Sequence, residues 1–206
     1  MTGRHIVRLT SWVALAMGTV AFAQEPKPTA TVPGNFRSFV VTDERFDKGS
    51  LRNRAGKMHC LVSDNGLYPV VAVFSRTTPD KTDAGLSKLV VRLDKLVVDH
   101  RAERLGAFVI FLTLGKEYPE DDQRDIKAKS AADLSAQLKT GNVPFGVAAS
   151  KSDAVSAWEI ADADDLTVTL YSKMKIVKKW TFAADKPIGD EEAKAIEDAV
   201  KTLLKK

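Results

Sequence analysis

Cysteine is almost absent: the 206-residue chain has one, Cys60. A single thiol excludes an intramolecular disulfide and any metal site assembled from several cysteines of one chain. Histidine is scarce as well, with three residues. No His-x-x-x-His, His-Glu-x-x-His or Cys-x-x-Cys spacing occurs, so His59 and His100 could meet a metal only through distant segments. His100 reads as a helix-end residue. The acidic stretches Glu120-Asp121-Asp122 and Asp162, Asp164, Asp165 lack the alternating ligands and the glycine of a calcium loop. They read as solvated turns. There is no glycine-rich phosphate loop, no dinucleotide fingerprint and no Gly-x-Ser-x-Gly nucleophile elbow. Neither a cofactor nor a metal is expected.

A large excess of one charge is missing too. The chain has 31 basic and 27 acidic residues. Arg4 and Arg8 lie in a segment expected to be removed, which leaves 29 against 27, a net of +2. That balance does not support a phosphate-binding role, so nucleic acid is not expected as a partner. The locally basic loop with Arg45, Lys48, Arg52, Arg54 and Lys57, and the lysines Lys175, Lys178 and Lys179, read as solvated surface. Trp158 and Trp180 read as core or hairpin aromatics rather than a base-stacking platform. No internal repeat is visible.

What is present is the composition of a soluble globular protein, 44% hydrophobic and 28% charged. Residues 1–23 have the layout of a secretory signal peptide: Arg4 and Arg8, an apolar stretch from Leu9 to Phe22, and Ala21-Phe22-Ala23 before a cleavage point. The stretch is short and interrupted, so no stable membrane span is expected after processing. No cysteine follows the cleavage point, and a lipid anchor is not indicated. The expected product is exported, to a periplasm or the exterior, and begins at Gln24. Residues 24–35, with Pro26, Pro28 and Pro33, form a proline-rich linker. A single domain is expected over 36–206.

The centre of that domain is residues 69–113. Pro69 to Ser75 and Ala107 to Thr113 are nearly continuous apolar runs, which suits strands covered on both faces. Between them, Leu86, Leu89, Val90, Leu93, Leu96 and Val97 recur at helical spacing up to about Leu105. Gly106 is a suitable stop. This is a βαβ unit with parallel strands. Before it, 36–41 and 58–62 read as strands, and Asn65-Gly66 as a tight turn. After it come a polar connection over 114–125, a helix opened by Ser130-Ala131-Ala132-Asp133, and a strand at 145–149. A short helix capped at Ser152 or Asp153 follows. Strands at 166–171 and 174–182 flank a turn at Ser172-Lys173. Leu166, Val168 and Leu170 alternate with Thr167, Thr169 and Tyr171, as in a half-buried strand. Asp190 opens a final helix whose stripe is Ala193, Ile196, Val200, Leu203 and Leu204.

From residue 69 this order is βαβ, helix, strand, short helix, hairpin, helix. It resembles the thioredoxin-like fold over about residues 58–205, by element order and hydrophobic pattern. The resemblance implies an α/β protein: a three-layer α/β/α sandwich with a mixed central sheet and an N-terminal strand extension. Thioredoxin-like enzymes keep Cys-x-x-Cys after the first strand of the βαβ unit, where a helix N-terminus lowers a thiol pKa. Here the matching stretch is Ser75-Arg76-Thr77-Thr78-Pro79-Asp80-Lys81, with Thr78 and Lys81 near the two cysteine positions. The family's cis-proline, before the strand that starts the hairpin, is replaced by Asp164-Asp165. Dithiol exchange is therefore not expected.

What remains is a surface suited to binding. The fold should bring the loop Arg76–Asp83 to the turn Asp162–Asp165, with Arg76, Thr77, Thr78, Asp80, Lys81, Asp164 and Asp165 as candidate binding residues. The expected partner is an envelope or extracellular protein or peptide. Cys60 carries the alternative, a one-cysteine redox protein or peroxidase. Its flanks, Met58-His59 and Leu61-Val62, favour a small buried hydrophobe on a strand. His59 would then point to the opposite face.

Overall fold

The computed structural model describes residues 30–34, 36–82, 84–116 and 121–205, without the side chain of residue 121. The expected signal segment, most of the linker, Asp83 and Glu120 lie outside the described residues. The elements in order are β1 Ser38–Thr42, β2 Met58–His59, α1 Leu61–Asn65, β3 Val70–Ser75, α2 Gly85–Asp99 and β4 Gly106–Thr113. Then follow α3 Asp121–Leu138, β5 Phe145–Ala149, α4 Asp153–Ser156, β6 Asp164–Ser172, β7 Lys175–Ala183 and α5 Asp190–Leu204. One seven-stranded sheet has the order β2-β1-β5-β4-β3-β6-β7. β3, β4 and β5 are parallel, and β1 and β6 join them antiparallel. The sheet is mixed, with β1 and β2 as the N-terminal extension.

The unbroken apolar runs of β3 and β4 have the cause the sequence suggested. Val71, Val73, Ala107, Val109 and Phe111 face a core shared with α2, α3 and α5. Val70, Ala72, Phe74, Phe108, Ile110 and Leu112 face a second core shared with α1, α4 and the segment at Phe36. Both layers remove these strands from water, worth about 1.5–3 kcal/mol for each fully buried large side chain. Phe36, Phe74 and Trp158 meet edge-on or tilted at centroid distances of 4.9–6.0 Å. That contact closes the second core where no long helix covers it.

Several local expectations are corrected. The strand expected over 58–62 ends at His59, and Leu61 opens α1. Asn65-Gly66 ends this helix rather than turning a hairpin: Gly66 has φ 55, and Asn65 Nδ2 donates to the Leu61 carbonyl at 2.7 Å. Helix α2 ends at Asp99, short of Leu105, with His100 as its cap. The chain then turns through Arg104 at φ 56, and Gly106 already belongs to β4. Gly106 is needed for close approach: a Cβ there would lie 2.0 Å from Asn65 Oδ1.

Helix α3 starts at Asp121, inside the expected polar connection. Among the described residues of this helix the buried hydrophobic ones are Ala131 and Leu134, both in its second half, so its first half shows no apolar stripe. It is helical because residues 121–138 contain no glycine or proline and many good helix formers, with acidic residues near its start to suit the dipole. Ser130 is mid-helix, donating to the Ile126 carbonyl at 3.1 Å. In β6, Thr167, Thr169 and Tyr171 are buried like their apolar neighbours, because this strand lies between β3 and β7 and faces both cores. The hairpin turn falls on Lys173 and Met174, both at positive φ, as a two-residue hairpin turn matched to strand twist requires. Lys179 is not solvated surface: its ammonium donates to the carbonyls of Trp158 and Glu159 at 3.0 and 2.6 Å. The structured chain also begins earlier than Phe36. Thr31 bridges to Lys175, and Val32 is buried.

Candidate functional site

In open α/β sheets, ligands bind beyond the carboxyl ends of the parallel strands. Here that end is formed by Ser75, Thr113 and Ala149, the last residues of β3, β4 and β5. The expected meeting of the β3–α2 segment with the start of β6 occurs there. Arg76 N donates to the Asp165 carbonyl at 2.8 Å. Its guanidinium donates to the carbonyls of Asp164 and Ala161 at 2.9 and 3.1 Å, with the Asp162 carboxylate 3.4 Å away. The Thr77 hydroxyl donates to the Asp165 carboxylate at 2.8 Å. Ser75 Oγ donates back to the Thr77 carbonyl at 2.6 Å, which bends the chain out of β3. The polar groups of Arg76, Thr77 and Asp165 are thus already engaged with one another's segments.

Thr78 and Lys81 do not stand at a helix N-terminus. They lie in the loop before α2, whose first residue is Gly85. Thr78 Oγ1 is buried and has no partner among the described residues. Asp80 and Lys81 are exposed, and the Lys81 carbonyl accepts from Ser87 Oγ at 2.8 Å. The start of α2 is sealed instead: a Cβ on Gly85 would lie 1.8 Å from the Ile188 carbonyl oxygen.

A cleft of about 320 Å³ opens beside this tie, lined by Leu112, Leu114, Ile126, Lys127 and Ser150 with Arg76 among others. No sequence pattern marks it. Its signals were two apolar residues in polar surroundings, Leu114 and Ile126, and they had meaning only once α3 was known to begin at Asp121. Lys127 Nζ donates to the Arg76 carbonyl at 2.8 Å. Burial pulls its ammonium below the usual lysine range, and the Asp165 carboxylate opposes that shift.

Cys60 is at the opposite end of the sheet. It is partly exposed, not a buried strand residue, and precedes α1 as its cap. Its sulfur accepts a hydrogen bond from Ser63 Oγ at 3.1 Å. It packs against the second core near Tyr171, which pairs with Val70 at the start of β3. The six residues of β3 put roughly 17–20 Å between that end and Arg76. His59 does not serve Cys60: its ring lies 2.6 Å from the Asp64 carboxylate. Among the described residues no group of three or more His, Cys, Asp or Glu could hold a metal ion, and no helix is long and apolar enough to cross a membrane.

The strand order, the parallel βαβ unit and the closing hairpin and helix define a thioredoxin-like fold. Solved structures agree. A protein of Chlorobium tepidum described as a thiol:disulfide interchange protein DsbE superposes with TM-score 0.53 at 12% identity, over 85% of this chain and 96% of that one. An uncharacterised conserved protein of Geobacillus kaustophilus gives TM-score 0.57 at 14% identity, over 92% and 88%. The bacterioferritin comigratory protein of Xanthomonas campestris, studied for alkyl peroxide reduction, gives 0.50 at 14%, over 72% and 87%. No family model matches the chain, and no curated protein sequence matches it. The chain has a thioredoxin-like fold.

Proposed function

We propose that this protein is an exported thioredoxin-like binding domain that works without dithiol chemistry. One observation supports this most. The segment between β3 and α2 contains no cysteine, and the single thiol lies at the far end of the sheet. The binding surface is the end of the sheet that displays Asp80 and Lys81 beside the Arg76–Asp165 tie, and the partner is an envelope or extracellular protein or peptide. Thiol transfer there would need a sulfur nucleophile within bonding distance of a bound disulfide, and Thr78 and Lys81 supply none. Export rests on the signal-like layout of residues 1–23, and mass spectrometry of the secreted product should find Gln24 as its first residue.

The test is reduction of insulin disulfides and of an alkyl hydroperoxide by the purified protein with an excess of dithiol reductant. No turnover above the reductant alone is expected, and a Cys60→Ser variant should match the wild type. Turnover that Cys60→Ser abolishes would overturn the reading. A second reading, a one-cysteine redox protein acting through Cys60, is favoured by the partial exposure of the sulfur and the Ser63 hydroxyl that donates to it. Rapid alkylation of the folded protein, with a midpoint well below the free-thiol value of about 8.5, would support that second reading.

A further inference from the structure

The cleft between the ends of β4 and β5 and the first half of α3 combines two features. Its wall is apolar and partly open to water: Leu112 is buried, while Leu114 and Ile126 are 72% and 70% exposed. Two large aliphatic side chains left in solvent on either side of one cleft are an unfilled hydrophobic contact. Its cation is Lys127, half-buried and held among the described residues by one hydrogen bond, to the Arg76 carbonyl. An ammonium has three donors, so two remain for an acceptor in the cleft.

We propose that this cleft binds a small aliphatic monocarboxylate, its carboxylate on Lys127 and its hydrocarbon chain along Leu112, Leu114 and Ile126. The charge fits, because a desolvated ammonium makes a strong charge-assisted bond to a carboxylate. The size fits, because about 320 Å³ is at the small end of ligand pockets and suits about ten non-hydrogen atoms. The placement fits, because the Arg76 carbonyl holds the Lys127 ammonium and Leu112, Leu114 and Ile126 line the same cleft. Asp165 limits the choice: its carboxylate already influences Lys127, so a dicarboxylate would bring a second negative charge toward it.

The experiment is a titration of the purified protein with sodium octanoate, below its micellar range, followed by backbone amide chemical shifts. Saturable shifts are expected at residues 112–114, 126, 127 and 150. Octanol, with the same chain and no charge, should bind at least about tenfold more weakly. Lys127→Met should weaken octanoate by a similar factor and leave octanol unchanged. Leu114→Asn, at an exposed position the fold does not need, should weaken both. Cys60→Ser should bind like the wild type, so a failure here does not touch the proposal of a protein that works without dithiol chemistry. The inference is overturned by unsaturable shifts, by shifts centred elsewhere, or by equal affinity of octanoate for the wild type, Lys127→Met and Leu114→Asn.

Discussion

Thr77 and Asp165, 88 positions apart in sequence, are joined by a hydrogen bond of 2.8 Å from the threonine hydroxyl to the carboxylate. With Arg76 spanning the carbonyls of Asp164 and Ala161, this bond fastens the exit of β3 to the entrance of β6. A dithiol enzyme of this fold places its chemistry at that junction. Here polar side chains hold two chain segments together, and the cleft at Lys127 lies one strand over, toward α3.

The tie should be measurable in stability. Thr77→Val removes one partly solvated bond and should cost about 0.5–1.5 kcal/mol. Arg76→Leu removes the guanidinium's bonds to two carbonyls and should cost about 2 kcal/mol. Urea unfolding followed by tryptophan fluorescence checks both. Costs below a few tenths of a kcal/mol for Arg76→Leu would mean that the junction is held by the backbone alone.

Gly85 and Gly49 make a contrasting pair. A Cβ on Gly85 meets the Ile188 carbonyl oxygen at 1.8 Å, whereas one on Gly49 meets nothing within 4 Å. Gly85→Ala must push α2 away from the approach to α5 and should cost about 3 kcal/mol. Gly49→Ala should change stability by less than about 0.5 kcal/mol. Thermal unfolding of the two variants side by side tests this, and equal melting temperatures would contradict it.

Tyr171 should set an alkaline limit. Its hydroxyl is buried and has no partner among the described residues, and burial, then the Cys60 thiol, push the phenol well above its usual range. The folded state therefore holds this proton more tightly than the unfolded chain, where the value is about 10. That contribution is intact below about pH 10 and is lost as pH rises from there toward the folded value. Tyr171→Phe should leave stability at pH 7 unchanged or raised by up to about 1 kcal/mol. It should also flatten the fall above pH 10. A marked loss at pH 7 would show that the hydroxyl has a partner the fold depends on.

Cys60 packs at the edge of the second core without completing it. Cys60→Ser should therefore cost no more than about 1 kcal/mol, read by chemical unfolding. Alkylation of the wild type should proceed in the folded state, because the sulfur is partly exposed. A thiol that labels only after unfolding would contradict this placement.

Periodicity along the chain was enough to determine the βαβ unit, the hairpin and the final helix. Strands buried on both faces need unbroken apolar runs, as in Val70–Phe74 and Ala107–Leu112, and an amphipathic helix needs the spacing of Leu86, Leu89, Val90 and Leu93. The lack of a second cysteine excluded an intramolecular disulfide without any coordinates, and the approach of the Arg76 loop to Asp162–Asp165 was implied by the resemblance to the thioredoxin-like fold. Four features were decided only by tertiary structure. The first half of α3 was hidden because few of its residues reach the core, so it shows no stripe, whereas its second half was expected. Thr167, Thr169 and Tyr171 looked exposed because alternation assumes one wet face, and β6 has none. Cys60 looked like a buried strand residue, yet the chain leaves the sheet one residue before it. The cleft at Lys127 joins β4, α3 and the residue after β5, and proximity among side chains so far apart in sequence has no periodic signal to read.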